Sequence, residues 1–174
     1  MASSGIDALK DWHDFYLVIG MASATLIGAM FIVVSIGSGY LTEERAVSAR
    51  PFLTPTTIHL ATVLFGCALI VVPTLDWQAF GLLYGLGSAA GLAYSAMIAF
   101  RVGRHNVDIG DRIWYGFVPF IGYAVMAGAA GMAFRQASAA LDLLAAALVL
   151  ILLAGMRNAW DMILFLVTRA RGPQ

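Results

Sequence analysis

Three polar side chains in the last apolar stretch of this sequence have the chemistry to bind or carry an ion. Arg157, Asn158 and Asp161 lie between the apolar residues 143–156 and 162–167. Arg157 and Asp161 are four residues apart, so on a helix they share one face and can form an ion pair. A charge at the centre of a bilayer costs at least about 2.5 kcal/mol, so it is normally paired, turned inward or functional. The alternative is snorkelling to the headgroups, because helical spacing places both charges in the inner leaflet rather than at the midplane.

His59 is the second candidate, and Thr57 and Thr62 stand near it in the sequence. A histidine titrates near neutral pH, so beside a carboxylate it can relay protons or sense pH. We expect His59 in the first turn of the second helix, where it would face the Arg157–Asp161 pair. The alternative is a hydrogen-bonded histidine that fixes the start of this helix. The predicted polar cluster or ion path comprises His59, Thr57, Thr62, Arg157, Asn158 and Asp161.

The composition shows which solvent must surround these residues. Of the 174 residues, 61% are apolar and 11% are charged, whereas soluble domains have roughly 45–50% apolar and about 25% charged residues. The apolar residues form runs of about 20, the length that crosses a hydrocarbon core about 30 Å thick. The sequence therefore predicts an all-α integral membrane protein, with one transmembrane domain over residues 1–174. Its five helices are expected at about 15–37, 57–75, 79–100, 113–134 and 139–168.

The connections between these helices carry further expectations. Residues 38–56 are polar and are expected to form the longest loop. The short link at 76–78 predicts that the second and third helices form an antiparallel hairpin. Pro73 and Pro119 remove backbone hydrogen bonds and are expected to bend their helices. A fifth helix of about 30 residues would measure roughly 45 Å and overshoot the core, so it must tilt, bend or project into the headgroups.

The distribution of basic residues predicts the orientation. Five crossings place the two termini on opposite sides, and the side richer in Lys and Arg is normally cytoplasmic. Lys10 and Arg135 lie on one side. Seven arginines share the other side: Arg45, Arg50, Arg101, Arg104, Arg112, Arg169 and Arg171. We therefore expect the N-terminus outside and the C-terminus inside.

Small residues recur along several of the predicted helices. Such residues let helix backbones approach closely, and this is how helices associate in lipid. They serve either packing within one subunit or self-association of subunits, and the sequence leaves both open. The residues are Gly20, Ala24 and Gly28 on the first helix, Gly81, Gly85, Gly87, Gly91 and Ser95 on the third, and Gly131 on the fourth.

Several classes of function are disfavoured by the same sequence. The formal net charge is zero and there is no polybasic tract, which argues against nucleic-acid binding. The single Cys67 excludes a disulfide framework and no Cys/His spacing suits a metal, so no metal site and no cofactor are predicted. Catalytic motifs are absent, and we expect no enzyme. For a lipid-modifying enzyme, the candidate catalytic residues would be only His59, Asp161, Glu43 and Glu44.

Three stretches of the chain resemble a family of small, uncharacterised five-helix bacterial membrane proteins. They are Phe15–Ser35, Phe52–His59 with its Pro-Thr-Thr-Ile-His ending, and Asn158–Asp161 with its Trp-Asp pair. The resemblance extends over nearly the whole chain. It implies a multi-pass protein of the bacterial inner (cytoplasmic) membrane and supplies no activity.

Two functional hypotheses follow from these features. The first is a self-associating bundle that forms or lines a path for a small ion or proton, with the polar cluster at its cytoplasmic mouth. The second is a non-transporting accessory or regulatory subunit, whose small-residue faces bind a larger membrane complex. In both hypotheses the chain lies in the lipid bilayer. Its partner is either another copy of itself or another membrane protein.

Overall fold

Five helices account for nearly all of the residues that the computed structural model describes. The backbone is described for residues 12–38, 43–103 and 109–170, and the side chains for 12–35, 54–100, 110 and 112–164. Within these residues there is no strand. The helices are α1 (His13–Ser38), α2 (Glu43–Ile70), α3 (Trp77–Gly103), α4, which joins Ile109–Arg112, Ile113–Phe117 and Val118–Ala133, and α5 (Ala139–Ala170).

Four segments are long and apolar enough to cross a membrane: His13–Ser35, Trp77–Phe100, Ile113–Ala133 and Ala139–Leu164. The predicted all-helical class is therefore confirmed, and the four spans indicate a membrane protein. Among the described side chains of α2, the apolar stretch is Thr54–Ile70, which is shorter than the other four.

The start of α2 differs from the sequence-based expectation. Residues 43–56 were expected in a loop because they are polar, yet α2 begins at Glu43. Polarity does not prevent helix formation, and the sequence Glu-Glu-Arg-Ala that opens α2 consists of strong helix formers. His59 consequently lies about four turns inside α2, not in its first turn. The alternative role of fixing the helix start is thereby excluded.

The turn between α2 and α3 occupies residues 71–76. Pro73 has no N–H to donate to the carbonyl of Leu69, and its ring would clash there, so α2 ends at Ile70. Asp76 starts α3, because its Oδ1 accepts a hydrogen bond of 2.7 Å from the N–H of Ala79. Despite this short turn, α2 and α3 touch each other very little. α2 packs on α1 and α5, whereas α3 packs on α4.

Two further expectations concern α4 and α5. The expected irregularity at Pro119 takes the form of a π-helical turn, Ile113–Phe117, in which the N–H of Val118 donates to the carbonyl of Ile113. This wider turn lies directly before the proline, whose ring disfavours a regular α-helical approach.

α5 is a single α-helix of 32 residues. Its length of about 48 Å exceeds the hydrocarbon core, which leaves tilt or projection as the ways to fit it.

One half of the bundle, which we call the turn-side half, contains the turn at 71–76 and the turn at 134–138. Its core is closely packed, and Leu144 and Leu148 of α5 are fully buried in it. Tyr16 of α1 donates a 2.8 Å hydrogen bond to the carbonyl of Leu141, which ties α1 to the start of α5. A Cβ added at Gly122 would lie 2.6 Å from Cγ1 of Ile151, so only glycine permits this approach of α4 to α5.

Candidate polar site and adjoining cavity

His59, Tyr123 and Thr62 form a hydrogen-bonded chain between α2 and α4. His59 Nδ1 lies 3.0 Å from the hydroxyl oxygen of Tyr123, and this oxygen lies 3.2 Å from Thr62 Oγ1. His59 is 1% exposed and Tyr123 is fully buried. The ring of Tyr94, from α3, meets the imidazole edge to face at 6.4 Å between ring centroids. Three helices therefore enclose the imidazole.

The protons in this chain can be ordered in two ways. Thr62 Oγ1 also lies 2.9 Å from the carbonyl oxygen of Ile58, to which it donates. In the first order, Thr62 donates to Ile58, Tyr123 donates to Thr62, and His59 donates from Nδ1 to Tyr123. In the other order Thr62 donates to Tyr123, Tyr123 donates to Nδ1, and the imidazole proton resides on Nε2. The two orders therefore differ in the directions of two hydroxyl groups and in the ring nitrogen of His59 that carries the proton.

A second group of polar side chains follows along α5. Asn158 is fully buried, and neither its Oδ1 nor its Nδ2 has a hydrogen-bond partner among the described residues. Arg157 and Asp161 form an ion pair through Asp161 Oδ1, with side chains 41% and 25% exposed. The second carboxylate oxygen of Asp161, Oδ2, is buried without a partner in the described part of the chain. Buried polar groups of this kind normally hold water or a ligand.

The register of α2 against α5 relates the two groups. Leu148 contacts Gly66, and a Cβ added at Gly155 would lie 2.8 Å from Leu60 Cδ2 and 3.8 Å from His59 Cβ. The helices run antiparallel, so Asn158, one turn beyond Gly155, lies at the level of the residues one turn before His59. The polar groups of α2 and α5 therefore succeed one another along the bundle.

Their positions along the helices show how deep this series reaches. Tyr123 and Thr62 stand at the middle of the apolar segments Ile113–Ala133 and Thr54–Ile70. Asn158 lies about 10 Å, and Asp161 about 14 Å, from the middle of the α5 span toward its C-terminal end. We call the half of the bundle that contains His59, Asn158 and Asp161 the polar half. Its polar side chains extend from near one membrane face to the middle of the helices.

The hydrogen-bonded chain borders a cavity of about 530 Å³ between α2 and α3. The cavity exists because these two helices diverge after their short turn. Thr62 and Tyr123 belong to its wall. The remaining wall is apolar or aromatic, and small residues such as Gly66, Gly87 and Gly91 leave the space open.

The predicted polar cluster is thus divided in the structure. His59 and Thr62 share Tyr123 as their partner, whereas Asp161 pairs with Arg157. The expected direct pairing of His59 with the Arg157–Asp161 pair is not what the structure shows. Thr57 is exposed and lines a separate cavity of about 150 Å³ against residues of α1.

Several of the predicted packing residues lie at contacts between helices. A Cβ at Gly20 would lie 3.0 Å from Cys67 Cβ, and one at Gly81 would lie 2.7 Å from the ring of Phe134. Gly91 sits still more closely against the ring of Tyr123.

The other predicted packing residues have looser or open surroundings. Added Cβ atoms at Gly85 and Gly87 would make ordinary contacts of 3.8 Å and 3.7 Å with α4. Ser95 is buried, with no partner for Oγ among the described residues. Ala24 is exposed, and added Cβ atoms at Gly28 and Gly131 would find no described atom within 4 Å. Self-association through these open positions stays a prediction.

Sequence reasoning missed Tyr123, the residue that joins His59 to Thr62. The signal was present, because a tyrosine in the middle of an apolar helix must find a hydrogen-bond partner for its hydroxyl. What the sequence did not provide was the side of α4 on which this hydroxyl lies. Helices rich in small apolar residues have no strong polar face, so their rotation is fixed by packing alone.

The fold and this site define a class: an all-helical membrane protein with a buried polar series beside an apolar cavity. Comparison with protein-family models, with curated proteins and with solved structures finds no match to the chain. The family resemblance of the three stretches described above stays a prediction. Among the described side chains, no group of three or more His, Cys, Asp or Glu residues has metal-binding spacing.

Proposed function

We propose that this chain crosses the bacterial inner membrane five times, with its N-terminus outside and its C-terminus in the cytoplasm. The four long apolar helices support four crossings. The apolar residues Thr54–Ile70 of α2 measure about 26 Å, at the lower end of what a crossing requires. The excess of arginine at the C-terminal side supports the orientation.

We further propose that the polar half is a path for protons or a small ion that enters from the cytoplasmic face. The observation that carries this proposal is the series of buried polar groups from Asp161 through Asn158 to His59 and Tyr123. A buried polar group without a partner costs about 1–3 kcal/mol. A structural role does not explain a buried amide that has no partner among the described residues, whereas transfer through water held at that amide does.

The hydrogen-bonded chain of His59, Tyr123 and Thr62 can carry one complete proton-transfer step. In the starting order His59 carries its proton on Nδ1. A proton arriving at Nε2 lets Nδ1 release its own proton to Tyr123, which passes its hydroxyl proton to Thr62. Thr62 then releases the proton that it had donated to Ile58 to a water molecule in the cavity. One proton has entered and one has left, and the chain is in its second order. Return to the first order requires the two hydroxyl groups to rotate and the imidazole to exchange its Nε2 proton for one on Nδ1.

Flux measurement tests this proposal. Purified protein in liposomes that contain a pH-sensitive dye is expected to collapse an imposed pH gradient. Asp161→Asn removes the titratable entry group and is expected to reduce the rate at least tenfold. The matched control is Asp142→Asn on the same helix, where the side chain is exposed at the opposite end. Equal rates for the wild type, Asp161→Asn and protein-free liposomes would contradict the proposal.

The second candidate, an accessory subunit of a larger membrane complex, is favoured by the turn-side half. There the described side chains close the centre of the bundle, and Leu144, Leu148 and Ile151 are fully buried. A path that continues beyond the polar half therefore needs a surface between subunits or a partner. Under this candidate Gly28→Leu, which adds bulk at an open position, abolishes assembly measured by mass in nanodiscs. Asp161→Asn would then be tolerated.

A further inference from the structure

The cavity between α2 and α3 has a defined size that narrows its possible occupants. Its volume of about 530 Å³ is within the range of roughly 300–1,000 Å³ found for small-molecule sites. One turn of a helix about 10–12 Å wide and 5.4 Å long already fills about 420–610 Å³. A crossing helix of a partner protein has several such turns, so only part of one face of it could enter this space, whereas a small molecule fits within it. The cavity is sized for a small molecule.

Its hydrogen-bonding capacity is also defined. The single proton of Thr62 is used in both proton orders, either toward Ile58 or toward Tyr123. The single proton of Tyr123 is likewise used in both, toward Thr62 or toward His59. Each oxygen keeps at least one lone pair. The Thr62 hydroxyl, which is partly exposed, therefore offers the cavity an acceptor and no donor, and a ligand that binds to it must bring a donor.

The rest of the wall describes the body of the ligand. Aromatic side chains of Phe65, Tyr84 and Tyr94 and small residues of both helices surround the space. The hydroxyl of Tyr84 already donates to the carbonyl of Gly66. An apolar body therefore loses no hydrogen bond on entering, and the largely apolar wall disfavours further polar groups on it.

We propose that the cavity binds one bilayer-soluble molecule that has an apolar body and a single hydroxyl group. The hydroxyl donates to Thr62 Oγ1, which is partly exposed, and the body lies between α2 and α3. The molecule enters sideways from the lipid. This site does not depend on the proposed proton path, since binding requires only this acceptor and the open space.

Photolabelling in liposomes tests the proposal with two probes that differ only in the hydroxyl. They are a diazirine-bearing dodecanol and the corresponding dodecane, each normalised to its concentration in the bilayer. One hydrogen bond contributes about 0.5–1.5 kcal/mol, so the alcohol is expected to label residues of the cavity about two- to tenfold more strongly. Excess unlabelled dodecanol should compete. Equal labelling by both probes would show that ordinary lipid chains fill the space, and would overturn the proposal.

Three variants make the result specific. Gly87→Leu fills the cavity and is expected to abolish labelling, because its Cβ has room near Met126. Gly128→Leu is the matched control, since its Cβ meets no described atom within 4 Å and it is not in the cavity wall. Thr62→Val keeps the shape and is expected to reduce alcohol labelling to the level of the alkane. A full alcohol preference in Thr62→Val would contradict the assigned acceptor.

Discussion

The turn-side half and the polar half of this bundle are built on opposite principles. In the turn-side half, every buried hydroxyl described above has a backbone acceptor, such as the carbonyl of Leu141 for Tyr16. Large apolar side chains fill the space between them. In the polar half, the amide of Asn158 and one oxygen of Asp161 are buried with no partner among the described residues. In the first half the buried hydroxyls are satisfied and the interior beside α5 is filled, whereas the second half retains unused hydrogen-bonding capacity.

This difference matters because of the solvent. Lipid tails are as apolar as leucine, so helices in a bilayer associate through close packing and hydrogen bonds rather than through hydrophobic burial. The turn-side half supplies that packing, and α4 and α5 meet at Gly122 and Ile151. Stability held in one half permits the other half to keep polar groups that lower it. The comparison therefore predicts opposite effects of mutation in the two halves.

The largest effect is expected from Leu148→Ala in the turn-side half. Leu148 is fully buried against Gly66. The change leaves a cavity, while the transfer part of the usual 2–5 kcal/mol loss is reduced because the unfolded chain remains in lipid. We expect a loss of about 1–3 kcal/mol, measured by SDS titration in mixed micelles. The matched control is Leu153→Ala on the same helix, where Leu153 is 41% exposed. Equal losses in both would remove the claimed contrast between core and surface.

The helical fold was predictable because its main signal is local. Runs of about 20 apolar residues fix the length of a crossing, and they are visible in the sequence. The start of α2 was not predictable in this way. Residues 43–56 are polar, yet they open with the strong helix formers Glu-Glu-Arg-Ala. Polarity predicts exposure to water, and an exposed segment can be a loop or a helix. The positioning of His59 within its helix was wrong for this reason.

The candidate site was predictable only in part. His59, Asn158 and Asp161 stood out because polar residues in apolar helices are costly. Their partners depended on helix rotation and on the divergence of α2 from α3, which no local pattern encodes. The sequence therefore indicated which residues to examine, while Tyr123 and the cavity emerged only from the packing of separate helices.

A change of intermediate size is expected from Asn158→Leu in the polar half, with the opposite sign. Leucine has a similar volume and removes a buried amide that has no partner among the described residues. We expect stabilisation by about 1–2 kcal/mol together with a loss of proton flux. Asn158→Ala is the control, since it also removes the amide but leaves a void and should gain less. Destabilisation of more than about 1 kcal/mol by Asn158→Leu would mean that the amide contributes to stability, and it would remove the contrast between the two halves.

The smallest effect compares one tyrosine from each half. Tyr16→Phe removes a single hydrogen bond to a carbonyl, and such bonds in membranes contribute about 0.6 kcal/mol on average. Tyr123→Phe removes the hydroxyl that connects His59 with Thr62, but Thr62 keeps its bond to Ile58. We expect both variants to lose about 0.5–1 kcal/mol in the same SDS titration. Only Tyr123→Phe is expected to abolish proton flux, because it interrupts the transfer chain. If Tyr16→Phe reduced flux equally, the separation of a structural half from a transporting half would be wrong.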